Sequence, residues 1–516
     1  MNRIIQTPSR LHIGETTSKT RHVQEALQRA AEMKGRLWKG GYEGQQALHY
    51  GAGVMGKGFA NWAYWKVSQT GVPIRTFFAD IKTDTSGNRI PTVPRLTEQG
   101  GYTVFDVFQD SRNIEIISNI QAIFSHEQDS INSIVADPRT AIISTTVSPN
   151  ILRTTEEGHA SPVMTSITEA LYSRFQALGN EGPINVLVCE NDFDNGSQAR
   201  DAVYRSAELR KLPKAFLKWL HVNVGFPRTV VDRIAPDSEA LDLEVEGTTL
   251  RRKFTEELGY TDSQLTLVQS SYTWIVENIW KDGARQYMLL PDALMDGHMQ
   301  IVDNIKSYEM QKLLVFNGAH IITAAIGSLL GYKSTMEAMS DPLVKQMVQG
   351  VLTEVTNILF DQRCFFPQSE KEPLVMKTLQ RLEDQSFPDT LSRVRRDPFR
   401  KLRGSDRLVR SAKQAAEFKQ PYDHIAFGIA ALMACAKGDI PGATYDETEP
   451  VNITRQLRLR NDRADDVIFS NLTGLSTLSP IENKIGRKIM DHYTEILGKG
   501  IRNSTYSFLK RHSHGH

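Results

Sequence analysis

The chain has 516 residues, 40% hydrophobic and 23% charged, with 61 Lys and Arg against 60 Asp and Glu. That length exceeds what one hydrophobic core supports and calls for two to four domains, while the balanced charge excludes a polycationic nucleic-acid binder and an acidic disordered chain. Cys189, Cys364 and Cys435 are too few and too scattered for a disulfide framework or a CxxC zinc site, so a reducing, cytoplasmic setting is expected.

Residues 1–45 read as an N-terminal extension, with Ser18 or Thr20 placed to cap a short helix from about Arg21 to Lys34. They contain basic residues but no apolar core of the kind a secretory signal needs. Gln45–Tyr50 is short, apolar and followed at once by glycines, which marks a buried strand, and 59–67 then has helical character. Val72–Ile81, Ala141–Val147 and Ile184–Val188 are further strand candidates with turn residues behind them. Strands alternating with helical stretches predict a parallel, doubly wound sheet.

After about Pro236 the apolar spacing becomes helical, over 262–280, 299–332, 341–360, 403–418, 422–437 and 481–510. The expected architecture is therefore α/β: a Rossmann-type doubly wound parallel sheet over 46–238, then a mostly α-helical domain over 239–516. The apolar run Leu313–Tyr332 is long enough to cross a bilayer, but it holds Asn317, His320 and three glycines, and Lys312 precedes it. A buried helix of a soluble protein accounts for it better than a membrane span. The histidine-rich end of the chain reads as solvated tail.

Directly behind the first strand stands Gly51-Ala52-Gly53-Val54-Met55-Gly56. Between a strand and a helix this GxGxxG has a physical reading. Gly51 permits the tight turn, Gly53 lets backbone approach a pyrophosphate, and Gly56 lets the helix pack on the sheet with its N-terminus toward the diphosphate. The confirming acid is expected about 20 residues further on at the end of the second strand. Asp80 lies there, 24 residues beyond Gly56. A carboxylate at that place accepts bonds from both ribose hydroxyls and repels a 2′-phosphate, so NAD is the expected cofactor.

Oxidation of an alcohol by nicotinamide needs a base for the hydroxyl proton and donors for the developing alkoxide. No metal-ligand set is evident. KLLVFNGAH (312–320) offers Lys312, Asn317 and His320 instead, at about 0°, 140° and 80° around a regular helix. Burial among apolar neighbours is expected to lower the lysine pKa toward neutrality, as a general base requires. The bland alternative is a core helix whose polar groups serve only the fold.

ALHYGAGVMGKGF (47–59) and KLLVFNGAH resemble the signatures of the polyol-specific long-chain dehydrogenase, or mannitol dehydrogenase, family. TTVSPNIL (145–152), CEND (189–192), GFPRTVVDRIAP (225–236) and the stretch 381–408 resemble further family segments in the same order, so the likeness covers about 46–440. It implies an NAD-dependent oxidoreductase in which Lys312 is the base, Asn191 and Asn317 hold the reacting oxygen, and His320, Asp232 and Arg381 bind or orient substrate. The stretch departs from the family at Asp384 and Gln385, where Asn-Pro is usual, which weakens the transfer to Arg381. Structurally, Asn191 has the alternative of capping a helix, and Asp232 that of pairing with Arg233 across the domains.

Between Arg393 and Arg410 stand eight Lys and Arg but two acids. Arg forks suit phosphate geometry, so the substrate is expected to be a phosphorylated sugar alcohol bound in part by Arg400 and Lys401. Within the same family a free polyol or a hexuronate is the alternative; outside it, a non-catalytic NAD-binding protein. Expected partners are small molecules, with no nucleic acid and no membrane, and the protein is expected to be a monomer or small homo-oligomer.

Overall fold

The computed structural model describes residues 21–38, 42–80, 92–108, 111–152, 158–245, 247–279, 299–384, 387, 389–396, 398–403, 406–437, 473–475 and 478–512. Lys82, Gln385 and the proposed helix caps Ser18 and Thr20 lie outside these residues, as does most of the histidine-rich tail.

Strands β1 (Gln45–Tyr50) and β2 (Ile74–Asp80) are buried almost throughout, the pattern of parallel strands covered on both faces. β1 lies between β2 and β6 (Thr140–Thr145), with parallel register on both sides. Adding β5 (Ile120–Phe124), β7 (Ile184–Val188) and β8 (Val224–Gly225) gives a six-stranded sheet ordered β5-β2-β1-β6-β7-β8. Read in chain order within this sheet, the sequence of strands is 3-2-1-4-5-6, the doubly wound arrangement. The helices Asn61–Gln69, Gln128–Ala136, Pro162–Leu178 and Asn195–Leu209 supply its crossovers. The expected parallel sheet is thus present, within a residue or two of the predicted strands.

Two smaller sheets accompany it. β3 (Tyr102–Phe108) pairs antiparallel with β4 (Ser111–Ile117) and parallel with β12 (Thr266–Gln269). β9 (Thr229–Asp232) pairs antiparallel with β13 (Thr273–Glu277), which pairs parallel with β14 (Gln300–Val302). The hairpin β10 (Glu244–Val245) with β11 (Thr248–Thr249) stands apart.

The helix expected over 262–280 is therefore corrected to two strands. Leu265, Val268, Tyr272 and Ile275 recur at helical spacing, which explains the misreading. The same stretch is dense in β-branched and aromatic residues, and pairing to β3 and β9 decides the matter. The first compact unit runs to Ile305 and the second begins at Lys306, so the described residues 239–245, 247–279 and 299–305 fall in the first unit.

The described helix of the N-terminal extension belongs to that unit too. This helix, Arg21–Leu37, buries Val23, Ala26, Ala30, Met33 and Leu37, one stripe at three- and four-residue spacing. Ser118 donates to the Ala30 carbonyl at 2.7 Å and closes the seam.

The second unit is helical. A 25-residue helix, Ile305–Leu329, runs through its middle, and 83% of its most apolar window is buried inside the protein, as expected for a core helix. Helices Thr335–Ser340, Pro342–Thr356, Leu391–Arg395 and Asp423–Lys437 pack around it. The predicted segment 481–510 is two helices, Pro480–Lys499 and Ile501–His512, separated by Gly500 at φ 75°.

Candidate active site

The site residues fall into two groups, one in each unit. In the first unit they gather at the carboxyl ends of β1, β2, β6 and β7. The chain leaves β1 toward β2 on one side and returns to β6 on the other, so a crevice opens between β1 and β6. Gly51 sits at its mouth with φ 105°, a conformation that favours glycine. Its N–H donates to the Ala79 carbonyl at 3.0 Å, and Thr146 N–H donates to the Tyr50 carbonyl at 3.0 Å.

Gly56 is the tightest approach. A Cβ there would lie 1.9 Å from the Gly51 carbonyl oxygen and 2.9 Å from His49 Nε2. The helix that begins at Val54 passes at Gly56 into a π turn, Gly56–Ala60. Ala52 and Gly53 form the turn behind β1, and Val54 and Met55 are already helical. Asp80 closes β2, nearly buried, with its carbonyl accepting from Ser125. A glycine-rich turn, a helix N-terminus behind it and a carboxylate at the end of the neighbouring strand fit an adenine dinucleotide.

His49 went unnoticed in the sequence because a lone histidine on a strand usually serves the core. Here its Nδ1 is 2.7 Å from Ser144 Oγ and its Nε2 2.8 Å from Thr146 Oγ1, so it braces the crevice from below. Full burial pushes its pKa down to about 3, and the ring is neutral.

Asn191 is exposed in the bend behind β7. It does not cap the next helix, whose N-cap is Asp194. Asn195 holds the turn instead. Its Nδ2 lies within 3.0–3.1 Å of the Val188, Glu190 and Thr229 carbonyls, and its Oδ1 accepts from Gly196 and Thr229 N–H groups. The bend carrying Asn191 is thereby tied to β9, which ends at half-buried Asp232.

Arg233 does not pair with Asp232. It meets Asp106 at 2.6 Å, donates to the Gly58 and Gln269 carbonyls, and lies over the Trp62 ring, so it locks the glycine helix to the second sheet. Glu190 is buried and accepts from Thr145 Oγ1 at 2.6 Å and Val147 N–H at 2.9 Å. Desolvation outweighs those bonds and raises its pKa to about 7.

In the second unit the long helix is not regular where the chemistry was expected. Gln311–Phe316 is a π turn, with Asn317 N–H donating to the Lys312 carbonyl. The wider turn brings Lys312 and Asn317 closer in azimuth than the 140° of a regular α-helix. Lys312 is half-buried rather than buried, with Nζ 4.4 Å from the centre of the Phe316 ring. Arg381, buried in the last turn of helix Lys371–Leu382, places its guanidinium 3.8 Å from the same ring. The His320 ring lies 5.4 Å from Phe316. Lys312, His320 and Arg381 are thus brought together around one phenylalanine, with Asn317 next to it in the chain.

His320 Nε2 is 3.1 Å from Oδ2 of Asp389, an ion-pair distance without good hydrogen-bond alignment. Desolvation lowers the His320 pKa despite that carboxylate, and the positive charges of Arg393 and Lys312 act in the same direction.

Arg400 and Lys401 have partners of their own. Arg400 faces Asp406 at 3.4 Å, and Lys401 Nζ donates to the carbonyls of Val394 and Arg396 at the end of helix Leu391–Arg395. Arg407 also pairs with Asp406, at 2.6 Å, and Arg393 with Asp389. Much of the basic run is therefore engaged within the fold rather than presented to an anion.

The first unit is by its topology and glycine turn a dinucleotide-binding domain of Rossmann type. The whole chain belongs to the mannitol dehydrogenase family: the model of the mannitol dehydrogenase Rossmann domain matches residues 45–286, and that of the mannitol dehydrogenase C-terminal domain matches 304–477. Among solved structures it is similar to Pseudomonas fluorescens mannitol 2-dehydrogenase in a ternary complex with NAD and D-mannitol, with TM-score 0.73 and 19% identity over 90% of this chain and 94% of that one. It is also similar to a substrate-free D-sorbitol dehydrogenase, with TM-score 0.68 and 20% identity over 90% of this chain and 96% of the other. At such identities the likeness is one of fold.

Proposed function

We propose that this protein oxidises a secondary hydroxyl of a free, hexitol-like polyol with NAD, and reduces the matching ketose with NADH, using Lys312 as general base. The observation that carries the reading is the π turn Gln311–Phe316, which sets Lys312 and Asn317 closer in azimuth, with Lys312, His320 and Arg381 around the Phe316 ring. A π turn costs helix regularity and is found disproportionately where a helix carries function.

The cofactor is NAD, held by the Gly51–Gly56 turn with its ribose on Asp80, and bound NAD supplies the hydride acceptor. Lys312 Nζ takes the hydroxyl proton. Asn191 and Asn317 donate to the oxygen as negative charge develops, and His320 and Asp232 hold neighbouring hydroxyls. These donor and acceptor types suit a chain of hydroxyl groups.

A phosphorylated substrate, as in a mannitol-1-phosphate 5-dehydrogenase, is the second reading. Arg381 beside Lys312 favours it, since two cations around one ring suit an anionic group. The engagement of Arg400 and Lys401 by Asp406 and by backbone carbonyls weighs against it.

The test is turnover of mannitol, sorbitol and fructose, of mannitol 1-phosphate and fructose 6-phosphate, and of hexuronates, with NAD(H) and NADP(H). Free polyols turning over with NAD support the proposal; a strong preference for the phosphate esters selects the second reading. Lys312→Ala is expected to lower kcat by roughly 10²- to 10⁴-fold, the contribution of a positioned acid or base. An alanine variant with unimpaired turnover refutes the role of Lys312, and tight NAD binding with no turnover of any sugar refutes the activity itself.

A further inference from the structure

We infer that Asp389 is a positioning residue that holds His320 in the neutral Nε2–H tautomer, leaving Nδ1 to accept a bond from a substrate hydroxyl. The substrate part of this inference rests on the polyol reading above; the tautomer does not.

Asp389 was invisible in the sequence, where it stands among several acids of an irregular stretch. In the structure it is 1% exposed. Its backbone is pinned on both sides: its N–H donates to the Phe387 carbonyl at 3.0 Å, and its carbonyl accepts from Thr335 N–H at 2.9 Å. The next residue, Thr390, forms a β-bridge with Ser334 and caps the helix Leu391–Arg395. Arg393 grips the carboxylate as a fork, with Nε 2.7 Å from Oδ1 and Nη2 on Oδ2. The carboxylate therefore has little rotational freedom, and its Oδ2 is the atom that meets His320 Nε2.

The charge on this group decides what it does to the imidazole. A buried carboxylate facing only a histidine would favour the imidazolium. Here Arg393 neutralises Asp389, and the positive charges of Arg393 and Lys312 oppose a further one on His320. The histidine stays neutral, and a neutral imidazole beside a carboxylate places its proton on the nitrogen that faces it. The other nitrogen is then an acceptor by necessity. Asp389 thus orients and sets the tautomer, as the buried aspartate does in hydrolytic triads, without taking a proton itself. The imperfect alignment at 3.1 Å is of the kind that tightens when substrate fills a site.

The experiment is long-range ¹H–¹⁵N NMR of histidine-labelled full-length protein, with His320 assigned from a His320→Gln spectrum. Wild type is expected to show the neutral Nε2–H pattern at pH 7, and Asp389→Asn to lose it, with a mixed or Nδ1–H pattern. With any substrate the wild type turns over, Asp389→Asn should lower kcat about 10- to 100-fold, the span for partners that orient a functional histidine, with a smaller change in KM. Should Asp389→Asn fail to fold, Arg393→Gln serves instead. It leaves the Asp389 charge uncompensated, so the His320 titration midpoint should rise above wild type.

An unchanged tautomer in Asp389→Asn, or an unmoved midpoint in Arg393→Gln, overturns the inference. Absence of polyol turnover in wild type, with the tautomer shift present, counts against the proposed activity alone.

Discussion

The sharpest pH-linked expectation concerns Glu190. Its carboxyl is fully buried at the carboxyl end of β7, and desolvation lifts its pKa from 4.5 to about 7 against the bonds from Thr145 and Val147. The folded state therefore binds the proton more tightly than the unfolded state does. The resulting stability is fully present below pH 4.5 and declines as pH rises toward 7, above which the loss is complete. A shift of that size corresponds to about 3 kcal/mol, of which about 2.5 kcal/mol develops between pH 5 and pH 8.

Glu190→Gln removes the titration while keeping a side-chain oxygen to accept from Thr145 or Val147. Any constant difference in packing or bonding cancels when the two proteins are compared across pH. Thermal unfolding of both at pH 5, 6, 7 and 8 should show the variant gaining on wild type as pH rises. At about 2 °C per kcal/mol for a unit of this size, the relative gain is about 5 °C over the range. Parallel pH profiles of the two proteins would refute the assignment of a raised pKa, and a variant that gains at low pH would reverse its sign.

Two further expectations concern the dinucleotide site. Gly56→Ala places a methyl 1.9 Å from the Gly51 carbonyl oxygen, backbone that cannot swing aside, so NAD affinity measured by calorimetry should fall at least 10-fold; unchanged affinity would show that the turn does not approach the cofactor. If Asp80 holds the ribose as proposed, Asp80→Asn removes the charge that excludes a 2′-phosphate, and the ratio of kcat/KM for NAD over NADP should drop several-fold; an unchanged ratio places the ribose elsewhere.

How much was legible in the sequence differs between the two halves of the chemistry. The glycine turn and Asp80 could be placed in advance because their roles are local: a left-handed φ at Gly51, a missing side chain at Gly56 and a strand end need no distant partner to be recognised. The lysine helix could be found because a cation, an amide and an imidazole interrupt an apolar run. Its π turn could not, since α and π turns use the same residues and differ by one position in hydrogen-bond partner. The azimuths computed for a regular helix therefore missed how closely Lys312 and Asn317 are set.

The segment 262–280 shows the opposite limit. Its apolar spacing fits a helix and its β-branched residues fit strands, and only pairing with β3 and β9, more than thirty residues away in each case, resolves it. The basic run 393–410 suggested an anion site from its composition, but that Asp389, Asp406 and two backbone carbonyls engage part of it appears only in the folded chain. Periodicity, turn chemistry and motif spacing are properties of neighbouring residues, so the sequence by itself determined the doubly wound sheet, the helical second half and the candidate base. Charge pairing and burial depend on which distant groups meet, so only the tertiary structure decided that His49 is neutral, that Glu190 holds its proton near pH 7, and that Asp389 stands behind His320.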